Sequence, residues 1–284
     1  MGSLLTSQIA SVSYKTFSVV SSGYKRITPI FMAFWMCIVS VLTGAAAAVM
    51  NGGFRPSAAT MLIAPVGGLC FVAAAVLYIR TLATGPFVWS VLIMNLSGFV
   101  PVLYSLLFLG ESVSWMQTAG VLVILSILFV MSIGLRGDDR PFTPRWLALA
   151  VVMMLCNGGI VCTMKTQHYA MDGAQALEYL ALMYLWTAVF SFLYHLISRD
   201  KNEKPPYRAF LPPAAGLVCA IGFGNVLSMT LMTRVPAAVQ FPVSTGCGII
   251  LTTIVSMTLY RERPGWRLYL SVALLILGVT LLSR

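Results

Sequence analysis

Residues 106–128 read LLFLGESVSWMQTAGVLVILSIL, two apolar runs joined by a short turn that contains Glu111. Residues 257–279, MTLYRERPGWRLYLSVALLILGV, repeat this arrangement with Glu262 in the turn. The apolar runs lack the strict alternation of polar and apolar residues that is typical of a membrane barrel strand. A run of about 20 apolar residues is the length of an α-helix that crosses a bilayer. We therefore predict an all-α membrane protein.

The composition of the whole chain agrees with this prediction. Of its 284 residues, 59% are hydrophobic and 9% are charged, and the mean hydropathy is +0.89. A water-soluble chain of this length carries far more charge on its surface. The net charge is +10, and a positive charge of this size is found in many proteins that bind nucleic acid. Here, however, the basic residues are confined to short connectors and form no solvated face. We predict a lipid bilayer as the partner and no nucleic acid.

Gly, Pro and charged residues divide the chain into ten apolar segments, which we predict to be ten transmembrane helices. The first segment is rich in Ser, so it needs neighbouring helices or a cavity on its polar side. The longest connector, residues 198–208, is too short to form a soluble domain. The predicted spans are 3–22, 29–50, 58–80, 86–109, 115–134, 145–165, 174–197, 209–232, 236–259 and 265–283.

The two halves of the chain resemble each other at a steady spacing. The matched pairs, each about 150 residues apart, are Lys15 with Lys165, Trp35 with Trp186, Glu111 with Glu262 and Trp115 with Trp266. Each half holds five spans, an odd number, so the second half enters the membrane from the opposite side. We predict two inverted five-helix repeats, residues 1–137 and residues 138–284, and such folds usually move solutes.

The two quoted stretches resemble the closing signature of the drug/metabolite transporter superfamily, EamA type. That signature is an apolar helix, a Glu in a tight turn and a helix containing Gly or Ala. Gly110, Glu111 and Gly120 fit it, whereas Arg261 stands where Gly is usual. The segments SVSYKTFS and GGIVCTMKT also resemble that family's helix followed by Lys. The resemblance implies ten helices around a central solute cavity, with helices five and ten outside it, near a homodimer contact.

The same resemblance implies transport of a small-molecule solute. Family members export amino acids and related metabolites, or carry nucleotide sugars, choline and other small polar solutes. The chain has no GxxxxGK[ST] motif to hold the phosphates of a nucleotide, so transport is expected to run downhill or with an ion gradient. We predict a secondary transporter that exports an amino acid or related amine by alternating access around the cavity.

Two alternatives stay open, namely efflux of hydrophobic cations or drugs, and a non-transporting membrane assembly or sensory protein. The efflux hypothesis requires that Glu178 face the cavity. A membrane enzyme acting on lipid would need a nucleophile with a base, or a metal cluster, and the sequence places no such set at membrane depth. We therefore predict no enzyme activity, no catalytic or metal-binding residue and no cofactor.

Polar side chains inside the spans are the candidate solute-binding residues, because an ionisable group at the centre of a helix costs on the order of 2–3 kcal/mol. Asn157 and Asn225 each lie beside glycines, and the alternative for both is tight helix packing. Pro101 and Pro242 indicate that the fourth and ninth spans can be interrupted at mid-depth. The candidates are Gln8, Asn95, Ser97, Asn157, Glu178, Tyr179, Asn225, Gln240, Ser244 and Thr245.

Three charged residues, Lys165, Asp172 and Glu178, lie in the otherwise apolar region of residues 162–186. In one account Lys165, at the end of the sixth span, snorkels to the interface, and Glu178 stabilises the positive start of the next helix. In the other, Glu178 faces the cavity and binds a cationic group of the solute or carries a proton. Tyr179 is either part of an aromatic wall for an amine or a packing residue.

Lys and Arg are concentrated in the connectors that follow the odd-numbered spans. The positive-inside rule places these connectors in the cytoplasm and both termini outside, whereas the usual arrangement in the family that the chain resembles has both termini inside. The six cysteines all fall in apolar segments, with neither a CxxC pair nor zinc spacing. We predict a multi-pass protein of the plasma membrane, namely the inner membrane of a bacterium.

Overall fold

The computed structural model describes residues 28–84, 90, 93–94, 96–110, 114–132 and 143–197, and scattered positions between 222 and 281. The predicted first and ninth spans, and most of the eighth and tenth, lie outside the described residues. Within the described residues the secondary structure is helical and no strand occurs. The helices are α1 (Thr28–Met50), α2 (Ala58–Thr84), α3 (Phe99–Phe108), α4 (Trp115–Ser132), α5 (Pro144–Ala170) and α6 (Ala176–Ile197).

Four of these helices are long and apolar enough to cross a membrane. The spans are Met32–Met50, Ala58–Tyr78, Pro144–Ala170 and Ala176–Ile197. The 22 residues of α6 extend over about 33 Å, close to the thickness of the hydrocarbon layer. The prediction of apolar, membrane-spanning helices is confirmed for the second, third, sixth and seventh spans. The total of ten helices and the inverted repeat stay predictions.

The exposed side chains of these helices are largely apolar. Phe34 of α1, Leu62 of α2 and Leu107 of α3 are each more than half exposed. On a soluble protein, apolar surface of this extent marks a binding site or an aggregation hazard. On a membrane protein it is the surface that contacts lipid.

The predicted fourth span, 86–109, is interrupted in the structure. Ser97 and Gly98 form a turn directly before α3. The backbone N–H of Ser97 donates to Met94 O at 3.2 Å, and that of Val100 donates to Ser97 O at 3.1 Å. These bonds join residues three apart, one fewer than in an α-helix. The sequence predicts an interruption in this segment, and the structure places it at Ser97.

The α5 helix extends past its predicted end at Lys165 and continues to Ala170. Its end is a turn in which Asp172 has a φ of 48° and the N–H of Gly173 donates to His168 O at 2.8 Å. That bond joins residues five apart and is the wider of the two hydrogen bonds of the Schellman motif. The left-handed conformation of Asp172 is one that few residues other than Gly adopt, and Asp is among them. The predicted position of Lys165 at the helix end is wrong, because it lies more than one turn inside α5.

The start of α5 is capped by Thr143. Its Oγ1 accepts a hydrogen bond from the N–H of Trp146 at 3.2 Å, and Pro144 occupies the first helical position, where no N–H is needed. Thr143→Ala should lower the free energy of unfolding by about 1 kcal/mol, measured on the purified protein in detergent. Thr118→Ala is the control, because that exposed hydroxyl donates to the carbonyl of Ser114, the residue directly before its own helix, and caps no backbone N–H among the described residues. Equal losses in the two variants would contradict the capping role.

The chain divides into two compact units. The first consists of Met1–Ala73 with Thr163–Thr233, and the second of Ala74–Cys162 with Arg234–Arg284. Each unit thus combines a segment from both halves of the sequence. The predicted repeats, 1–137 and 138–284, describe internal similarity of the sequence, and they stay a prediction.

In the first unit α1 packs along α6. The Ser40 hydroxyl of α1 donates to the carbonyl of Ala181 in α6 at 2.7 Å. Further along, the side chain of Asn51, directly after α1, reaches the first turn of α6. The two helices are therefore antiparallel, and the connector that follows α1 lies at the same end of the unit as the connector that precedes α6.

Helix α2 approaches α6 through Gly67 and Gly68. A Cβ atom on Gly68 would lie 2.9 Å from the backbone N of Thr187 and 3.0 Å from the carbonyl O of Met183. These distances are shorter than ordinary van der Waals contact, so the two backbones approach closely only because this position has no side chain. Small residues at such contacts are typical of helices packed within membranes.

Candidate functional site

Glu178 lies in the first turn of α6 and is 3% exposed. Its Oε1 accepts a hydrogen bond from Asn51 Nδ2 at 2.6 Å. Its Oε2 is also buried, and it has no hydrogen-bond partner in the part of the chain that the structure describes. Within the described residues, the result is a buried carboxyl group with one oxygen bonded to a neutral amide and the other oxygen unpaired.

Local backbone geometry brings Asn51 to this carboxyl group. The N–H of Asn51 donates to Ala47 O at 2.9 Å, which holds the residue on the last turn of α1. Gly52 and Gly53 then turn the chain away with φ values of 68° and 149°, a conformation that residues with a side chain rarely adopt. The Asn51 side chain therefore points to α6 while the connector leads on to α2.

The two connectors are joined by the side chain of Gln175. Its Oε1 accepts hydrogen bonds from the N–H of Ser57 at 2.8 Å and from the Thr60 hydroxyl at 3.0 Å. Its Nε2 donates to Arg55 O at 3.4 Å. Because these partners include donors on one side and an acceptor on the other, they determine the orientation of the amide. The topology predicted from the sequence has both connectors on the same side of the membrane, and the structure brings them into contact.

Lys165 is also buried, with 3% of its surface exposed. Its Nζ lies 6.0 Å from the centre of the Tyr169 ring, which follows one turn later on α5. A cation over an aromatic face at this distance is a favourable contact. The account in which Lys165 snorkels to the interface is therefore wrong, because protein covers the side chain.

Two of the tyrosines of α6, Tyr179 and Tyr184, are fully buried and hydrogen-bonded. The hydroxyl of Tyr179 donates to Thr163 Oγ1 at 2.9 Å, and the hydroxyl of Tyr184 accepts from Asn225 Nδ2 at 3.0 Å. Gly67 of α2 lies against the first pair, since a Cβ atom there would be 2.7 Å from the Tyr179 oxygen. Both rings are covered by protein in this conformation and form no open aromatic wall.

In the second unit the structure brings together two of the predicted residues. Asn157 Nδ2 donates to the Ser97 hydroxyl at 2.6 Å, at the interruption before α3. A Cβ atom on the adjacent Gly158 would clash with Val100, so these segments also pack closely. Glu178, Tyr179 and Asn225 belong to the first unit. The other predicted site residues lie outside the described residues, and they are Gln8, Asn95, Gln240, Ser244 and Thr245.

No sequence pattern pointed to Asn51, Gln167 or Gln175. Gln167 is fully buried, and its Nε2 donates to the carbonyls of Ala174 and Gln175 at 2.9 and 3.3 Å. Asn51 and Gln175 lie in segments that read as turns, and turns are rich in such residues for local reasons. The one available signal is their position in two connectors that are predicted to share a side of the membrane.

Comparison with known proteins identifies the family. The sequence profile of the EamA-like transporter family matches residues 139–284, slightly more than half of the chain. The chain belongs to the EamA-like transporter family. As an EamA protein it is a multi-pass membrane transporter, and the resemblance to drug/metabolite transporters is confirmed.

A solved structure has the same fold as this EamA protein. It is a crystal structure described only as that of a protein, and its sequence is 20% identical to this chain. The two structures superpose with a TM-score of 0.73, and the aligned region covers 98% of this chain and 95% of the other chain. At this identity the likeness concerns the fold alone. No curated protein matches the EamA chain.

Proposed function

We propose that this EamA-family transporter is a secondary carrier of a small polar metabolite with an ammonium group, such as an amino acid or related amine. The buried Glu178 carboxyl group, with one oxygen that has no partner among the described residues, is the observation that supports this proposal. The solute binds in a central cavity and crosses the membrane by alternating access. Export is the proposed direction, because the superfamily that the chain resembles includes amino-acid exporters.

The chemistry of the carboxyl group supports an ammonium ligand. A buried carboxylate oxygen without a partner costs free energy, because it has lost its hydrogen bonds to water. An ammonium group has three N–H donors and a full positive charge. A hydrogen bond of this kind, with charged partners, contributes about 1.5–3 kcal/mol. Glu178 therefore offers more to an ammonium solute than to a neutral one.

The alternative solutes are hydrophobic cations and drugs. These would also bind a carboxylate, but aromatic faces near the charge would contribute much of their affinity. The rings of Tyr179 and Tyr184 are fully buried, and their hydroxyls bond to Thr163 and Asn225. This favours a small polar solute, which needs hydrogen-bonding groups more than aromatic surface.

The proposal is tested with the purified protein in proteoliposomes. Uptake of radiolabelled amino acids and amines should saturate with concentration and show counterflow when the same solute is present inside. Liposomes without protein are the control. Binding without flux across a broad panel of metabolites would contradict the proposal and select the non-transporting alternative. A bacterial inner-membrane location and a homodimer through the predicted helices five and ten remain part of the proposal.

A further inference from the structure

We propose that Asn51 is a positioning residue for the solute's ammonium group, and that it sets the preference for cationic over neutral solutes. The inference rests on the proposed function and names the solute class of the same site. Asn51 acts through Glu178, whose Oε1 it holds with a hydrogen bond of 2.6 Å.

The partner of Glu178 is a neutral amide, and this leaves the charge of the carboxylate available to a ligand. Only the NH₂ group of the Asn51 amide can donate, so the bond to the carboxylate determines which way the amide faces. The amide is neutral, so it fixes the carboxylate without cancelling its charge. A Lys or Arg in the same place would form an ion pair and leave no charge for a ligand. In the described part of the chain, no basic side chain bonds to the unpaired Oε2 of Glu178.

The position of the pair also fits a binding role. The Asn51 residue is exposed, whereas Glu178 is 3% exposed. The pair therefore joins an exposed position at one end of the unit to its buried interior. A solute that approaches from this end meets a carboxylate that is already oriented.

The contacts between the connectors keep this arrangement in place. Gln175 is three residues before Glu178, and its side chain bonds to Ser57, on the connector that begins with Asn51, and to Thr60, in the first turn of α2. These bonds hold the connector of Asn51 against the start of α6. Pre-organisation of this kind reduces the ordering cost of binding.

Asn51→Lys is the sharpest test of this inference. The variant places a tethered ammonium group within reach of Glu178, where it replaces the ammonium group of the solute. In proteoliposomes, we expect counterflow of an ammonium solute at subsaturating concentration to fall at least tenfold, with an unchanged or raised midpoint of thermal unfolding. Ala58→Lys is the matched control, because it adds the same charge at an exposed position at the start of α2. It should transport at the wild-type rate.

Asn51→Ala supplies a second measurement. Without its donor the carboxylate is no longer held, and we expect the ratio of amine to neutral-alcohol transport to fall about fivefold, the size of one ordinary hydrogen bond. A merely structural role would lower stability and leave this ratio unchanged. If Asn51→Lys does not fold, the ratio of amine to neutral-alcohol transport measured for Asn51→Ala decides whether Asn51 sets the preference for cationic solutes.

The possible failures are distinguishable. Wild-type transport of an amine, together with wild-type rates in Asn51→Lys and an unchanged ratio in Asn51→Ala, would overturn the role of Asn51 and leave the proposed function standing. No amine transport by the wild-type protein would overturn the proposed function itself.

Discussion

Glu178→Gln is expected to lower counterflow of an ammonium solute at least tenfold at subsaturating concentration. The variant keeps the size of the side chain and an oxygen that can accept from Asn51, but it removes the negative charge. A hydrogen bond with charged partners contributes about 1.5–3 kcal/mol, and every 1.4 kcal/mol is a factor of ten in affinity. The measurement is the initial rate of counterflow in proteoliposomes that contain equal amounts of protein.

Ser191→Ala is the matched control on the same helix. Ser191 is fully buried, and its hydroxyl has no hydrogen-bond partner in the described part of the chain. Removal of an unpaired buried hydroxyl should leave transport unchanged and stability equal or slightly higher. Wild-type rates in a folded Glu178→Gln variant would show that Glu178 has only a structural role at the start of α6.

Gly68→Ala is expected to destabilise the protein by about 1–3 kcal/mol, the usual range for an overfilled core. The added Cβ atom would lie 2.8 Å from Trp186 Cβ and 2.9 Å from the backbone N of Thr187. A backbone atom cannot move aside as the end of a flexible side chain does, so the helices must separate. The measurement is the free energy of unfolding in a titration of detergent micelles with denaturant.

Gly44→Ala is the control for this prediction. A Cβ atom at Gly44 would lie 3.7 Å from Ala181 Cβ, which is ordinary van der Waals contact. Ala is also preferred over Gly inside a helix by roughly 0.5–1 kcal/mol. We therefore expect unchanged or higher stability for Gly44→Ala. Equal destabilisation of both variants would contradict the close approach of α2 and α6.

The helices could be predicted well where the hydrocarbon layer determines their length. The spans 29–50, 58–80 and 174–197 correspond closely to α1, α2 and α6, because an apolar run in lipid has to be helical to satisfy its backbone. The end of α5 could not be predicted in this way. Hydropathy treats the charge of Lys165 as the end of a span, but packing buries that side chain beside Tyr169.

The candidate site could be predicted only in part. The sequence alone indicates Glu178 as a candidate, because a carboxyl group inside an apolar segment is costly. Its partner Asn51 is 127 residues away in the sequence, and no local pattern contains that pairing. It arises from the packing of α1 along α6, which brings the end of one helix to the start of the other. Tyr179 could be read either as a ligand or as a packing residue, and in this structure the ring is buried.

Counterflow with two matched solutes measures the preference of the transporter for a cation. The two solutes have the same carbon skeleton, and one carries an ammonium group where the other carries a hydroxyl group. The wild-type protein should transport the ammonium solute at least tenfold faster at equal subsaturating concentrations. Equal rates for the two solutes, or a faster rate for the hydroxyl solute, would contradict a site built around the unpaired oxygen of Glu178.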